Sequence, residues 1–216
     1  MKKKNKIFGA VSAGALLSFL LWTALLCFAD VQPIGPLGSS VGLAALNGFV
    51  HERIGVNMTL YTVTDWLGLL PLSAMLFFAS LGLYQWITRK SILRVDFSLL
   101  CLGGFYLLVM AAYLFFEAVP LNYRPVLIDG VLEASYPSST TLLVLTVMPT
   151  AAMQCMTRLK NAALRHTAVL LIGLFTVVMV VGRLFSGVHW ATDIIGGIFI
   201  SAALVFAYLA VTDGRR

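Results

Sequence analysis

Charge is what this sequence has least of. Only 11% of its 216 residues are Asp, Glu, Lys or Arg, while 60% are hydrophobic. The mean hydropathy is +0.93. A soluble domain of this length cannot hide so much apolar surface, so that class is excluded. Cysteine is scarce too. Cys27, Cys101 and Cys155 lie inside apolar runs with no metal-ligand spacing. That excludes a disulfide framework or a cysteine metal centre, and the three read as small buried hydrophobes. Acidic residues number 9 against 15 basic ones, for a net charge of +6. A basic excess can mark nucleic-acid binding. Here the cations gather in short loops between apolar runs, which is orientation signalling, so no nucleic-acid partner is expected.

What remains is a set of long uncharged runs. A bilayer span needs about 20 apolar residues. Six runs meet this, over roughly 7–29, 63–87, 97–116, 138–156, 167–184 and 190–211. The first follows four lysines and is longer than a usual signal core, so it reads as an uncleaved span. The sequence therefore predicts an all-α integral membrane protein with six transmembrane helices in a single domain, 1–216. Between the first two spans, Pro33, Gly35, Pro36 and Gly38 mark turns. Residues 39–50 then suggest a short interfacial helix. His51 after it has no partner four residues away and reads as a solvated or interfacial side chain. Pro71 falls inside the second span, where neighbouring helices tolerate it.

Six spans put both termini on one side. Lys2, Lys3, Lys4, Lys6, Arg89, Lys90, Arg94, Arg158, Lys160, Arg165, Arg215 and Arg216 fall on that side, and only Arg53, Arg124 and Arg183 on the other. The positive-inside rule makes the termini cytoplasmic. It also leaves Arg124 and Arg183 where topology asks for no cation, so they need another reason to be there.

Three polar stretches share that outer side: Arg124-Pro125, then 136–141, then 182–193. In the last, His189 and Asp193 are four apart and would meet on one helix face. A carboxylate beside an imidazole fixes its tautomer. Arg183 adds a planar fork of donors suited to phosphate or carboxylate. In the middle stretch, Pro137 fits a first helical turn. Ser138, Ser139, Thr140 and Thr141 then offer hydroxyls near a helix N-terminus, either as an anion cradle or as caps. Gly196-Gly197 in the sixth run suits close helix packing.

Together these residues resemble the type 2 phosphatidic acid phosphatase superfamily. Its pattern is a lysine seven before Arg-Pro, then Pro-Ser-Gly-His, then Ser-Arg with a His six residues on and an Asp four beyond. Arg124-Pro125, Pro137-Ser138 and Arg183, His189 and Asp193 match. Gly182 replaces the serine of the third part, Ser139 the glycine, Thr140 the histidine and Glu117 the lysine. The resemblance implies a membrane phosphatase acting on a lipid phosphate or lipid diphosphate without cofactor or metal. It implies that His189 attacks phosphorus, that Asp193 orients it, and that Arg124 and Arg183 bind phosphate. Ser138, Ser139 and Thr140 would line the cradle. The missing histidine would have protonated the leaving group, and a Thr140 hydroxyl is far too weak an acid for that. Two readings follow. One is a phosphatase at the extracytoplasmic face of the cell membrane, suited to diphosphate-type lipids or using a protonated Glu117 as its acid. The other is a relative without turnover that binds lipid phosphates or regulates.

Overall fold

In lipid, a spanning backbone must satisfy its own polar groups, and helices do so within one segment. A computed structural model describes residues 2–213. Arg215 and Arg216, counted above with the cytoplasmic cations, lie outside the described residues. The helices are α1 (Lys2–Phe28), α2 (Ala44–Ile54), α3 (Met58–Leu67), α4 (Leu69–Arg89), α5 (Phe97–Ala118), α6 (Ser139–Arg158), α7 (Ala162–Phe185) and α8 (Ala191–Thr212). Among the described residues, β pairing is limited to isolated bridges. Six segments are long and apolar enough to cross a membrane: α1, α3 with α4, α5, α6, α7 and α8. The chain is an all-α, multi-pass membrane protein.

The second span differs from its sequence reading. It begins at Met58 rather than near 63, and it breaks at Gly68 into α3 and α4. Pro71 then sits in the first turn of α4, where a missing N–H costs no helical bond. The 32 residues of Met58–Arg89 extend about 48 Å at helical rise, against about 30 Å of hydrocarbon. The excess turns carry Tyr61, Thr64 and Asp65 to the level of the α5–α6 connection. The short helix before it starts later than expected, at Ala44. Gly42 precedes it because a Cβ there would fall 1.6 Å from the Leu26 carbonyl oxygen. Asn47, fully buried, then ties α2 to α8: its Nδ2 donates to Gly42 O and to Thr192 Oγ1, at 2.9 Å each.

The most buried span is α6, which packs against α4, α5, α7 and α8, while α1 lies along α8. Its apolar side meets Leu99, Leu102, Phe105 and Val109 of α5 through Leu143 and Val147, and meets Met179 of α7 through Val144 and Met148. Lipid is as apolar as leucine, so these helices associate through shape rather than through a hydrophobic drive. Gly196 and Gly197 provide that shape on α8. A Cβ at Gly196 would fall 2.4 Å from the Tyr136 ring, and one at Gly197 would fall 2.9 Å from Thr141 Cγ2. The cysteines are not buried as expected. Cys27 is exposed and Cys101 and Cys155 are half-buried. In a spanning bundle an apolar run marks contact with lipid as readily as burial in protein.

Candidate active site

One end of the bundle collects α3, the 119–138 connection, the start of α6, the end of α7 and the start of α8. The connection is shaped by a turn signal in the sequence, Asp129-Gly130. Both residues take positive φ, 49° and 79°, the backbone that a tight hairpin turn needs. Ile128 and Val131 exchange main-chain bonds across it. Two more rungs follow, Arg124 N–H to Glu133 O at 3.1 Å and Ser135 N–H to Asn122 O at 2.9 Å. This small hairpin places Asn122, Arg124, Glu133 and Ser135 over the helix ends.

Arg183 stands in the last turn of α7 and is 1% exposed. Beyond it the chain must turn sharply into α8. Gly187 makes the turn at φ 68°, pressed against the 55–57 segment, where a Cβ would fall 1.9 Å from Gly55 O. Asn57 N–H clamps the turn by donating to Ser186 O at 2.9 Å. Gly182 has a reason of its own. Its bare face lets α3 approach, since a Cβ would fall 2.9 Å from Thr64 Cγ2.

His189 and Asp193 do meet, but not on a helix face. The helix begins only at Ala191, so His189 lies in the turn before it. Asp193, at the third helical position, folds back and accepts the Trp190 N–H through Oδ2 at 2.9 Å. This cap brings Oδ2 to 3.6 Å from His189 Nδ1, with both side chains buried. Asn122 Nδ2 donates to the other carboxylate oxygen at 3.4 Å. Ser135 completes the surround, its hydroxyl facing Asp193 and its main chain the imidazole. Trp190 is fixed from the far side: its indole N–H donates to Tyr123 O at 2.7 Å. His51 is not simply solvated. Its ring packs 5.3 Å from the Trp190 ring.

The tautomer of His189 follows from its neighbours. Arg183 Nη2 lies 3.2 Å from His189 Nε2. A guanidinium only donates, so Nε2 is the acceptor and the proton sits on Nδ1. Burial, and next the charges of Arg124 and Arg183, hold the imidazole well below its usual pKa. The ring is therefore neutral near pH 7, with a lone pair on the nitrogen that faces Arg183.

Arg124 is also buried, its side chain 9% exposed, and lies 3.0 Å from Glu133 Oε2 through Nε. That contact is close but poorly aligned for a hydrogen bond, and Nη1 has no partner. Arg183 Nη1 reaches Thr64 Oγ1 at 3.5 Å and Asp65 Oδ1 at 3.6 Å, and its Nε is unanswered. Tyr61 supplies a shared platform. The guanidinium carbon of Arg183 stands 5.0 Å from its ring centroid and that of Arg124 5.7 Å, within cation–π range.

The hydroxyl stretch is placed less centrally. Ser138 is fully buried and caps α6, accepting from Thr141 N at 3.4 Å and Thr141 Oγ1 at 3.0 Å. Its N–H donates to Asp193 O at 3.1 Å, which ties α6 to α8 beside the histidine. Pro137 precedes the cap rather than filling a first turn. Ser139 and Thr140 are half-buried. Ser139 lines a small cavity with Glu117, Tyr113 and Ser135, and Glu117 is exposed at its edge.

The PAP2 superfamily profile matches residues 101–216, more than half of the chain and every residue from the second turn of α5 onward. The chain belongs to the PAP2 superfamily. Its PAP2 fold extends further. The structure is similar to the "Crystal structure of the first transmembrane PAP2 type phosphatidylglycerolphosphate phosphatase from Bacillus subtilis", at a TM-score of 0.61 and 19% identity, covering 95% of this chain and 98% of that one. No curated protein matches the chain. Tyr61, Thr64 and Asp65 lie outside the PAP2-matched residues, and no motif in the sequence ties them to Arg183.

Proposed function

We propose that this PAP2 protein is a membrane phosphatase that hydrolyses a lipid phosphate or lipid diphosphate through a phosphohistidine. His189 Nε2 would form a bond to phosphorus as the P–O bond to the leaving group breaks, and the electron pair would leave on that oxygen. Asp193, beside Nδ1, would stabilise the charge that develops on the ring. Arg124 and Arg183 would hold the equatorial oxygens, where charge spreads in the transition state. Ser138 would act by fixing α6 against α8, with Ser139 and Thr140 nearer the substrate. Water would then attack phosphorus and free His189.

One observation carries the reading. Two buried guanidiniums converge on a neutral buried imidazole, with Arg124 Nη1 and Arg183 Nε unanswered. Unpaired buried donors are costly, and a tetrahedral oxyanion is the ligand whose acceptors match them. The twelve-to-three distribution of cations argues for cytoplasmic termini and for a site on the extracytoplasmic side of the cell membrane. Thr140 in place of an acid favours leaving groups that need no proton, such as the phosphate of a lipid diphosphate. General acid catalysis is worth about a hundred- to ten-thousandfold.

The second reading, a binding or regulatory relative, is favoured by the carboxylates of Asp65 and Glu133 that already face the two arginines. Phosphate release by the purified protein from lipid monophosphate and diphosphate vesicles separates the two. The phosphatase reading expects release that His189→Ala abolishes. Equal release from both proteins, or none from either, rejects it.

A further inference from the structure

The seam between α4 and α5 holds a cavity of about 580 Å³ that shares no residue with the His189 site. It runs along α4 from Leu72 to Trp86 and along α5 from Leu99 to Met110. Ile92 and Val95, in the loop that joins the two helices, line its end away from His189. Two of its lining residues are glycines, Gly82 on α4 and Gly103 on α5, and a Cβ on either would meet nothing within 4 Å. They differ from Gly196 and Gly197, where a Cβ would strike Tyr136 or Thr141. On α8 the missing side chains bring helices together; in this seam they leave room.

Dimensions and charge choose the occupant. Leu72 to Trp86 rises about 21 Å along α4, more than the roughly 15 Å of hydrocarbon in one leaflet. The cavity volume spread over that length gives a channel about 6 Å wide. A neighbouring helix, about 10–12 Å across, does not enter it, whereas a single acyl chain does. The open end is cationic. Lys90 and Arg94 flank Ile92 and Val95 in the loop, both exposed, and neither pairs with a carboxylate among the described residues. Asp96, the acid of this loop, is already engaged by Arg89 and Arg158. Trp86 adds an indole at the same end, the side chain that favours the headgroup level of a bilayer. We propose that the seam is a binding site for an anionic phospholipid of the leaflet at this end, with one acyl chain between α4 and α5 and the phosphate on Lys90 and Arg94. The bound lipid fills the one stretch where these two helices leave a gap beside the Asp96 network.

Native mass spectrometry of the purified full-length protein tests it, with phosphatidylglycerol or phosphatidylcholine of identical chains titrated into the detergent. The first phosphatidylglycerol should bind about tenfold tighter than the first phosphatidylcholine, the scale of two cations near an anionic headgroup. Lys90→Gln with Arg94→Gln should bring the two lipids level. Gly82→Leu with Gly103→Leu should fill the channel and weaken binding of both. Equal affinities in the wild type, a preference that survives the glutamine pair, or phosphatidylglycerol binding unchanged by the leucine pair overturns the proposal. So does a dimer that the leucine pair dissociates, which makes the seam an interface between copies. The glutamine pair lies on exposed loop positions, so its result decides even where the leucine pair does not fold.

Discussion

The two ends of the helix bundle use the same residue types to opposite effect. At the end away from His189, Asp96 stands before α5 and gathers Arg89 Nη1 at 2.8 Å, Arg158 Nη1 at 3.0 Å and Gln85 Nε2 at 2.9 Å. Gln85 Oε1 accepts the Asp96 N–H in return. Arg158 also donates to Gln154 and Ser98, and Gln154 donates to Tyr208. The acid meets its donors in a closed network that joins α4, α5, α6 and α8. The Arg89 and Arg158 side chains are 43% and 26% exposed. At the His189 end the arginines are more deeply buried, and each keeps a nitrogen without a partner. A closed, half-wet network is a clamp. A buried network with open donors is the arrangement that the proposed phosphate site requires. What separates them is burial and hydrogen-bond satisfaction, which residue type alone does not reveal.

The comparison breaks most readily at Arg183. Arg183→Ala should lower phosphate release from lipid vesicles by about a thousandfold, the scale of a lost transition-state donor. Arg183→Lys should recover little of it, because one ammonium cannot face His189 Nε2, Thr64 and Asp65 together. Full activity in the lysine variant would make Arg183 a point charge only.

A smaller effect concerns pH. Burial and the two arginines lower the His189 pKa, so the ring stays neutral and nucleophilic as pH falls past 6.5. The rate should hold level through pH 6.5 and drop only at lower pH. For folding the sign is the same. The unfolded chain takes up its proton first, so stability attributable to this group falls below pH 6.5. An acid limb centred at or above 6.5 in a pH–rate profile would contradict the neutral, arginine-faced ring.

The smallest effect belongs to the other end. Asp96→Asn should leave phosphate release within about twofold and lower the melting temperature by about 3 °C, the shift expected for a loss near 1 kcal/mol in a chain this long. Hydrogen bonds from Gln85 and from the two arginines depress the Asp96 pKa to about 2. Its stabilisation is thus complete above about pH 4 and lost as pH falls through about 2. A variant that melts normally but loses activity would join the two ends functionally and remove the contrast.

Much of this was legible in the chain. The six spans were readable because an apolar run of span length has few alternatives, and Arg183, His189 and Asp193 because they interrupt such runs. How His189 and Asp193 meet was not readable: four-residue spacing suggested a helix face, and a helix cap produces the contact instead. Tyr61 and Asp65 were hidden by distance, since more than 100 residues separate them from Arg183 and apolar periodicity says nothing about which helix ends adjoin. The hairpin that carries Arg124 was signalled by Asp129-Gly130, two residues easily passed over within a polar connection. Ser138 shows the reverse case. Its dual reading as cradle or cap could be weighed only once its hydroxyl was seen bonded to Thr141.

The central claim is that His189 carries the phosphoryl group, and trapping tests it most directly. Protein mixed with a lipid phosphate labelled on phosphorus and quenched in base within one turnover should hold a label that acid releases and that maps to His189. The label should be absent from His189→Ala. Turnover by the wild type with no trapped label, or a label that persists in His189→Ala, would contradict the account.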